Sequence, residues 1–231
     1  MRWWLFFLLV GFLSPAVGQS FSDQASAKSY EFDTTITNSG SAVMLSTRLV
    51  GDGLLRLTSR CKGRSQTVDT IYCNGLLYIK FLDFDGDGNA DILVDYIGNN
   101  STYYLYLFDP AEVKFQSIDG YMRFPDAVHL KADTKYYYSY HRAGCADENW
   151  VSDLFMISDY SIIHLGLIDG EGCSFEEEQN PPMIKIFKIK GNDADNAKLV
   201  EELPYRQYIS DFGDKWGFIE DYWNKNLARF Q

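Results

Sequence analysis

Long hydrophobic runs are scarce in this sequence of 231 residues. The run Trp3–Leu13 lies at the amino terminus, and it is shorter than the roughly 20 apolar residues that span a bilayer. Pro15 breaks this run, and Ala16–Gly18 supplies the small residues that a signal peptidase recognises. We therefore expect a signal peptide over 1–18 rather than a transmembrane anchor. The remaining residues, 19–231, are expected to form one secreted or periplasmic domain with no membrane span.

Positive charge is also in short supply. The chain has 21 Lys and Arg residues against 32 Asp and Glu residues, which gives a net charge of −11. Nucleic acid and anionic membrane surfaces would be repelled by such a protein, so we exclude both as partners. The deficit of positive charge favours a cationic partner or a divalent metal ion.

Cysteine occurs four times, at Cys61, Cys73, Cys145 and Cys173, and never with C-x-x-C spacing. This pattern disfavours a zinc site or a catalytic thiol. An even number of cysteines in an exported chain favours disulfide bonds, and four cysteines permit three pairings. We favour Cys61–Cys73 with Cys145–Cys173, because each of these pairs closes a short or modest loop.

Aromatic residues are abundant, at 16% of the chain, and short segments with alternating apolar residues recur between turn signals. Leu54 to Cys61 is one such segment. These features predict an all-β fold of mainly antiparallel strands, with a propeller-like, sandwich or barrel arrangement. From about residue 214 the apolar spacing becomes helical. This predicts a C-terminal amphipathic helix that packs on the sheet, with a partner-binding helix as the alternative. The core-facing side chains would be Trp216, Ile219, Trp223, Leu227 and Phe230.

One loop concentrates the negative charge. Asp83, Asp85, Asp87 and Asp91 occupy positions one, three, five and nine of a nine-residue loop between two predicted strands. Calcium prefers six to eight oxygen ligands, and a loop of alternating carboxylates supplies several of them. The backbone carbonyl of Asn89 would add one more, and glycine at position six would permit the tight turn. The sequence therefore predicts a calcium site with Asp83, Asp85, Asp87, Asn89 and Asp91 as its ligands.

Two further types of calcium loop are less consistent with this sequence. An EF-hand requires Glu at position twelve and flanking helices, but Val94 occupies that position and both flanks have strand character. A calcium-binding β-roll requires tandem repeats, which the chain does not have. An acidic surface hairpin without metal remains the alternative. The loop matches the D-x-D-x-D-G-x-x-D pattern of integrin-type, or FG-GAP, repeats at every position.

The segment from Leu82 to Lys114–Phe115 resembles a group of exported bacterial proteins. In that group an acidic loop is followed by a Gly-Asn-Thr-Tyr segment and by an aromatic strand that ends in Phe-Asp-Pro. The resemblance covers about residues 76 to 170 and implies a propeller-like β fold that binds calcium. It further implies a periplasmic inhibitor of a lysozyme-type effector. The Cys145–Cys173 region and the C-terminal helix depart from the pattern of the group.

A second polar cluster lies around Cys145. His141, Arg142, Asp147, Glu148 and Trp150 are candidates for a recognition surface, and a structural loop is the alternative. No common nucleophile or metalloprotease motif occurs, so we expect a protein that is not an enzyme. The predicted function is a calcium-stabilised β scaffold that binds a basic protein, such as a lysozyme-type hydrolase. The alternatives are a structural envelope protein and a hydrolase that uses Asp147, Glu148 or Glu171.

Overall fold

The computed structural model describes residues 30–98, 100–173, 181–190 and 193–231. The predicted signal peptide and residues 19–29 lie outside this part of the chain. Antiparallel strands dominate the described part, as the sequence predicted, and a short helix follows them near the carboxyl terminus. None of the helices in these ranges is both long and apolar enough to cross a membrane.

The first half of the chain forms two four-stranded antiparallel sheets, in each of which neighbouring strands follow one another in sequence. Sheet A comprises β1 (Phe32–Asn38), β2 (Ser41–Gly51), β3 (Leu54–Cys61) and β4 (Arg64–Tyr72). Sheet B comprises β5 (Leu76–Leu82), β6 (Asp91–Tyr96), β7 (Thr102–Asp109) and β8 (Lys114–Ser117).

The second half forms a seven-stranded sheet C with the order β15-β14-β13-β12-β10-β9, in which β11 also pairs with β12. Its strands are β9 (Val128–His129), β10 (Tyr136–Tyr138), β11 (His141–Gly144), β12 (Asn149–Ser158), β13 (Ser161–Glu171), β14 (Met183–Lys190) and β15 (Asp193–Pro204). The helices are α1 (Tyr205–Tyr208) and α2 (Asp214–Asn226). Turns of 3-10 helix occupy Tyr121–Arg123, Cys145–Asp147 and Leu227–Arg229.

Three apolar cores hold these elements together as stacked layers. Side chains such as Leu55 of sheet A and Ile92 of sheet B share the first core. The opposite face of sheet B packs on sheet C, where Leu93 and Phe155 belong to one cluster. The far face of sheet C packs on α2 through a third cluster, which includes Trp223. The arrangement is sandwich-like, with sheet B covered on both faces.

Strand β6 illustrates how the sequence specifies this stacking. Its residues Asp-Ile-Leu-Val-Asp are buried without interruption, because alternate side chains enter two different cores. A continuous short apolar run is the pattern expected of a strand that is covered on both faces. Strand β3, at the surface, instead alternates between buried and exposed residues.

The cysteine pairing was half correct. Cys145 and Cys173 form a disulfide bond, whereas Cys61 and Cys73 are separate, buried thiols. The predicted Cys61–Cys73 bond is wrong because the two residues lie at opposite ends of the β3–β4 hairpin. Cys61 lies opposite Arg64, next to the turn of the hairpin. Cys73 comes directly after Tyr72, which lies opposite Leu54 at the other end of the hairpin. Strand geometry therefore separates them by more than about 20 Å, and a disulfide requires Cα atoms within about 7 Å.

The C-terminal helix begins where it was predicted, and it buries Ile219 and Trp223 against sheet C. The indole N–H of Trp223 donates to Ser152 Oγ at 2.9 Å, which satisfies its polar atom inside the core. The prediction for Trp216 was wrong, because this side chain is 45% exposed and packs against the ring of Tyr140. Lys215 takes the buried position instead, with 1% of its surface exposed.

Candidate metal centre

The acidic loop connects β5 to β6 at one end of sheet B. Leu82 pairs with Asp91 in the last register position, so the residues between them form the loop. Gly86 and Gly88 have φ angles of 78° and 86°, in the left-handed region that glycine adopts without steric cost. These two glycines let the chain curl around the carboxylates.

Loop carboxylates accept hydrogen bonds from the backbone of the same loop. Asp83 accepts from the N–H groups of Gly86 at 2.9 Å and Gly88 at 3.1 Å. Asp85 accepts from the N–H of Asp87 at 3.2 Å. These short-range bonds fix the carboxylates at their positions.

Asp83, Asp85 and Asp91 each offer one oxygen atom, and these three atoms lie within 4.8 Å of one another. Two ligands of the same calcium ion, at 2.3–2.6 Å each, are at most about 5 Å apart. The spacing of the three oxygen atoms therefore fits a calcium coordination shell. Oxygen is also the ligand atom that calcium prefers, so both geometry and chemistry agree with the predicted metal.

Asp91 is the buried member of this cluster, with 1% of its surface exposed. Its carboxylate accepts from the backbone N–H of Phe84 and of Phe108, both at 2.8 Å. Burial raises the pKa of Asp91 to about 7, although those two N–H groups oppose the rise and repulsion from Asp85 and Asp87 adds to it. The pKa of Asp85 is also raised, mainly by burial and by repulsion from Asp87. A bound cation would favour the ionised forms of both side chains.

The structure brings together three of the four carboxylates that were predicted as ligands, while the prediction for the backbone carbonyl of Asn89 stays a prediction. The carboxylate of Asp87 instead accepts from the backbone N–H of Asn89 at 2.7 Å and from its side-chain amide at 2.9 Å. Asn89 is buried, and its side-chain oxygen accepts from the N–H and hydroxyl of Ser39, at 2.7 and 2.9 Å. The side chains of Asp87 and Asn89 therefore stabilise the loop in this structure and lie outside the three-carboxylate cluster.

Sequence reasoning did not identify the residues that anchor the loop to the other sheets. Asn38, at the β1–β2 turn of sheet A, donates to the carbonyl of Ala90 at 2.9 Å and accepts from its N–H at 2.7 Å. Phe84 points the other way, into the core between sheets B and C, where its ring stacks on Tyr137 at 5.1 Å. The carbonyl of Phe84 also contacts His129 Nε2 of sheet C at 2.8 Å. The loop thus contacts all three sheets.

Protein cations do not neutralise this loop. Within the described ranges, no ion pair includes Asp83, Asp85, Asp87 or Asp91. Four carboxylates in one short loop repel one another by about 1 kcal/mol per pair even at the dielectric constant of water. The negative charge at this end of sheet B is therefore not compensated by a basic side chain of the described residues.

The predicted recognition cluster has a largely structural role. Trp150 is fully buried and donates to the hydroxyl of Tyr205 at 3.1 Å, so it cannot contact a partner. Asp147 is also buried, and it forms an ion pair with Lys215 at 2.9 Å. The prediction was therefore wrong for these two residues, because their side chains pack toward α1 and α2. His141, Arg142 and Glu148 remain accessible, with 28%, 53% and 45% of their side chains exposed.

Each carboxylate proposed for the hydrolase alternative has a basic partner. Asp147 pairs with Lys215 at 2.9 Å, Glu148 with Arg206 at 3.3 Å, and Glu171 with Lys185 at 2.7 Å. The hydroxyl of Tyr140 also donates to Asp147. These contacts connect the disulfide region to α1, α2 and β14, and they explain why the acidic residues occur there.

The fold and the loop together define a β-sheet protein with a candidate calcium site. No protein-family model and no curated protein matches this sequence. Among solved structures, it is similar to a Xanthomonas type IV secretion system related protein, with a TM-score of 0.48 and 17% sequence identity. The similarity covers 78% of this chain and 97% of that chain. A similarity this distant identifies neither a family nor a function.

Proposed function

We propose that this protein is a calcium-stabilised β scaffold, exported from the cytoplasm, that binds another protein and is not itself an enzyme. The observation that carries the proposal is the cluster of Asp83, Asp85 and Asp91, whose charge no described basic side chain compensates. The predicted signal peptide and the Cys145–Cys173 bond support the exported location.

Calcium has a stabilising role in this proposal because of where the loop lies. Asn38 holds the loop to sheet A, and Phe84 inserts into the core between sheets B and C. An ion that fixes the loop therefore restricts the relative positions of three sheets. The cluster lies at the ends of packed strands. Backbone N–H groups around Asp91 donate to its carboxylate, so these groups are occupied within the protein.

The calcium proposal is tested by thermal unfolding and direct titration. Calcium at about 100 times its Kd should stabilise the protein by about 2.7 kcal/mol, because the folded state alone forms the site. The double variant Asp83→Asn/Asp85→Asn should melt no lower than wild type in EDTA and should gain little from calcium. Magnesium should be a weaker ligand, because it demands a smaller and more regular shell. An unchanged melting temperature on adding calcium to metal-free protein contradicts the site.

A basic protein is the proposed partner. The net charge of −11 favours such a partner through long-range attraction, and the family resemblance suggests a lysozyme-type hydrolase. The hydrolase alternative is weaker, because its three candidate carboxylates form ion pairs within the protein. These residues are Asp147, Glu148 and Glu171. The exposed side chains of Arg142 and Glu148 lie beside this region and are available for contact.

Binding is tested by adding the purified protein to a panel of lysozyme-type enzymes while measuring turnover of peptidoglycan. Inhibition of a panel member that weakens as salt is raised would support a basic partner held by charge. Hydrolysis of peptidoglycan by the protein alone contradicts a non-enzymatic role. If the protein neither inhibits any enzyme of the panel nor hydrolyses peptidoglycan, the lysozyme-type partner is contradicted. That result would favour a structural envelope protein instead.

A further inference from the structure

The outer face of sheet A has the opposite charge from the chain as a whole. Between Gly53 and Val68 the sequence contains four basic residues and no acidic residue, although the net charge of the protein is −11. The four basic residues all have exposed side chains, and they are Arg56, Arg60, Lys62 and Arg64. The β3–β4 hairpin thus places a positive patch on an acidic protein.

The register of the strands brings two guanidinium groups together on this face. Arg56 lies directly across from Arg48 of β2, and both side chains are exposed. Like charges in opposite positions destabilise a sheet, so folding alone does not explain this pair. Asp33 neutralises Arg48 at 2.6 Å, but in the described part of the chain Arg56 and Arg60 form no ion pair. Arg56 and Arg60 are separated by about 13 Å along one strand.

Hydroxyl side chains surround these arginines. Seven of them project from the same face, on all four strands: Thr35, Thr37, Ser46, Thr58, Ser65, Thr67 and Thr70. Tyr72 follows Thr70 on this face of β4 and is 67% exposed, which offers one aromatic ring at the end of the array. The face is therefore flat, polar and positively charged, with hydrogen-bonding groups at regular spacing.

We propose that an anionic polysaccharide binds across the outer face of sheet A. The arginines would pair with carboxylate or sulfate groups, the hydroxyls would hydrogen-bond to sugar hydroxyls, and Tyr72 would pack against one sugar ring. This surface goes beyond the proposed calcium-dependent function and does not involve the acidic loop. Charge complementarity selects a polyanion, because Arg56 and Arg60 are exposed and unpaired within the described residues.

Other polyanions fit this face less well. Protein interfaces use clusters of large apolar anchors. The exposed large apolar side chains on the described part of this face, Met44, Val50 and Tyr72, lie on separate positions of β2 and β4 and are few. Single-stranded nucleic acid is bound by successive aromatic platforms in a positive groove, and the described part of this face has one exposed aromatic ring, that of Tyr72. The density of hydroxyl groups favours a sugar polymer.

The test measures the affinity of the full chain for heparin and for polygalacturonate at two salt concentrations. The variant Arg56→Gln/Arg60→Gln should bind about tenfold more weakly, because it loses two exposed charge contacts. The matched control Lys190→Gln/Lys198→Gln removes the same charge from sheet C and should change affinity by less than about twofold. Both variants alter exposed side chains, so neither should melt below wild type, and loss of the Arg48–Arg56 repulsion can only raise the melting temperature of the arginine variant slightly.

Three outcomes would overturn the proposal. The first is no binding to either polysaccharide by wild-type protein. The second is an equal loss of affinity in the arginine variant and the lysine control, which would indicate a nonspecific effect of net charge. The third is tighter binding to oligo-dT or to polyglutamate than to either polysaccharide, which would assign the face to nucleic acid or to an acidic protein.

Discussion

Two acidic corners of this molecule balance their charge in opposite ways. In the disulfide corner, formed by Gly144–Trp150 and Cys173, Asp147 pairs with Lys215 and Glu148 with Arg206. In the acidic loop, Asp83–Asp91, the carboxylates accept hydrogen bonds from backbone N–H groups and form no ion pair with a described Lys or Arg. Both corners are rich in Asp and Glu, so acidic composition by itself does not identify a metal site.

The difference lies in where the positive charge comes from. The disulfide corner receives it from α1 and α2, late elements that fold back across the far face of sheet C. The acidic loop is anchored by neutral groups, chiefly Asn38 and Phe84, which fix its position without changing its charge. The stability of the disulfide corner, which the protein itself neutralises, should not change with calcium. The stability of the acidic loop should depend on calcium. Charge substitutions and pH titration can test this contrast.

The largest effect is expected from Lys215→Met, which leaves the buried Asp147 carboxylate without its main counterion. Breaking a buried ion pair by removing one partner costs about 3–5 kcal/mol, because the remaining charge is desolvated. Arg142, at 3.7 Å, and the hydroxyl of Tyr140 still contact the Asp147 carboxylate and offset part of this cost. Urea unfolding should show this loss equally in calcium and in EDTA. Lys225→Met, at the exposed pair with Asp221, is the control and should change stability little. A calcium-dependent loss in Lys215→Met would mean that the two corners are coupled.

A smaller effect is expected from the pH dependence of the metal-free loop. Because the pKa of Asp91 in the fold is raised to about 7 from 3.8, the folded protein holds a proton that the unfolded chain releases near pH 4. The contribution of Asp91 to the free energy of unfolding is therefore fully present below pH 4 and is lost as the pH rises through 7. The loss amounts to roughly 2–4 kcal/mol.

Comparison with Asp91→Asn isolates this contribution from that of other titrating groups. In EDTA, the difference in unfolding free energy between wild type and the variant should change by that amount between pH 4.5 and pH 7.5. Calcium should remove the dependence, because the ion stabilises the ionised carboxylate. A difference that is independent of pH in EDTA would contradict the raised pKa of Asp91.

Local patterns predicted the parts of the structure that depend on neighbouring residues. Alternating apolar residues identified β3, a short apolar run after the acidic loop identified β6, and helical spacing identified the start of α2. Apolar alternation does not identify strand β4, because this strand is polar along most of its length. Strand β15 was missed because Ala197–Leu203 consists largely of residues that also favour helices. Both are edge strands, in which packing constrains the sequence least.

In the candidate site, too, contacts between sequence neighbours were predicted and contacts between distant residues were not. The spacing of the aspartates predicted the three-carboxylate cluster, because ligands within one loop are neighbours in sequence. The bond between Asn38 and Ala90 spans 52 positions, and the bond between Lys215 and Asp147 spans 68. No short motif records such contacts. The exposed Asp87 was assigned the same role as Asp85, because regular spacing does not show which carboxylates turn inward.

The smallest predicted effect is a difference in calcium affinity between variants of Asp85 and Asp87. Asp85→Asn removes a carboxylate of the cluster together with its charge, so its calcium affinity should fall tenfold or more. Asp87→Asn removes charge at a side chain that bonds to Asn89, so the affinity should fall only about two- to fivefold. Isothermal titration of both variants measures the difference, and their identical charge change makes each the control for the other. Equal losses would show that Asp87 leaves Asn89 and joins the shell when calcium binds, because a charge that stays outside the shell acts only through space. The loop would then reach its full set of ligands only with the ion present, and the contrast with the preformed Lys215–Asp147 pair would become sharper still.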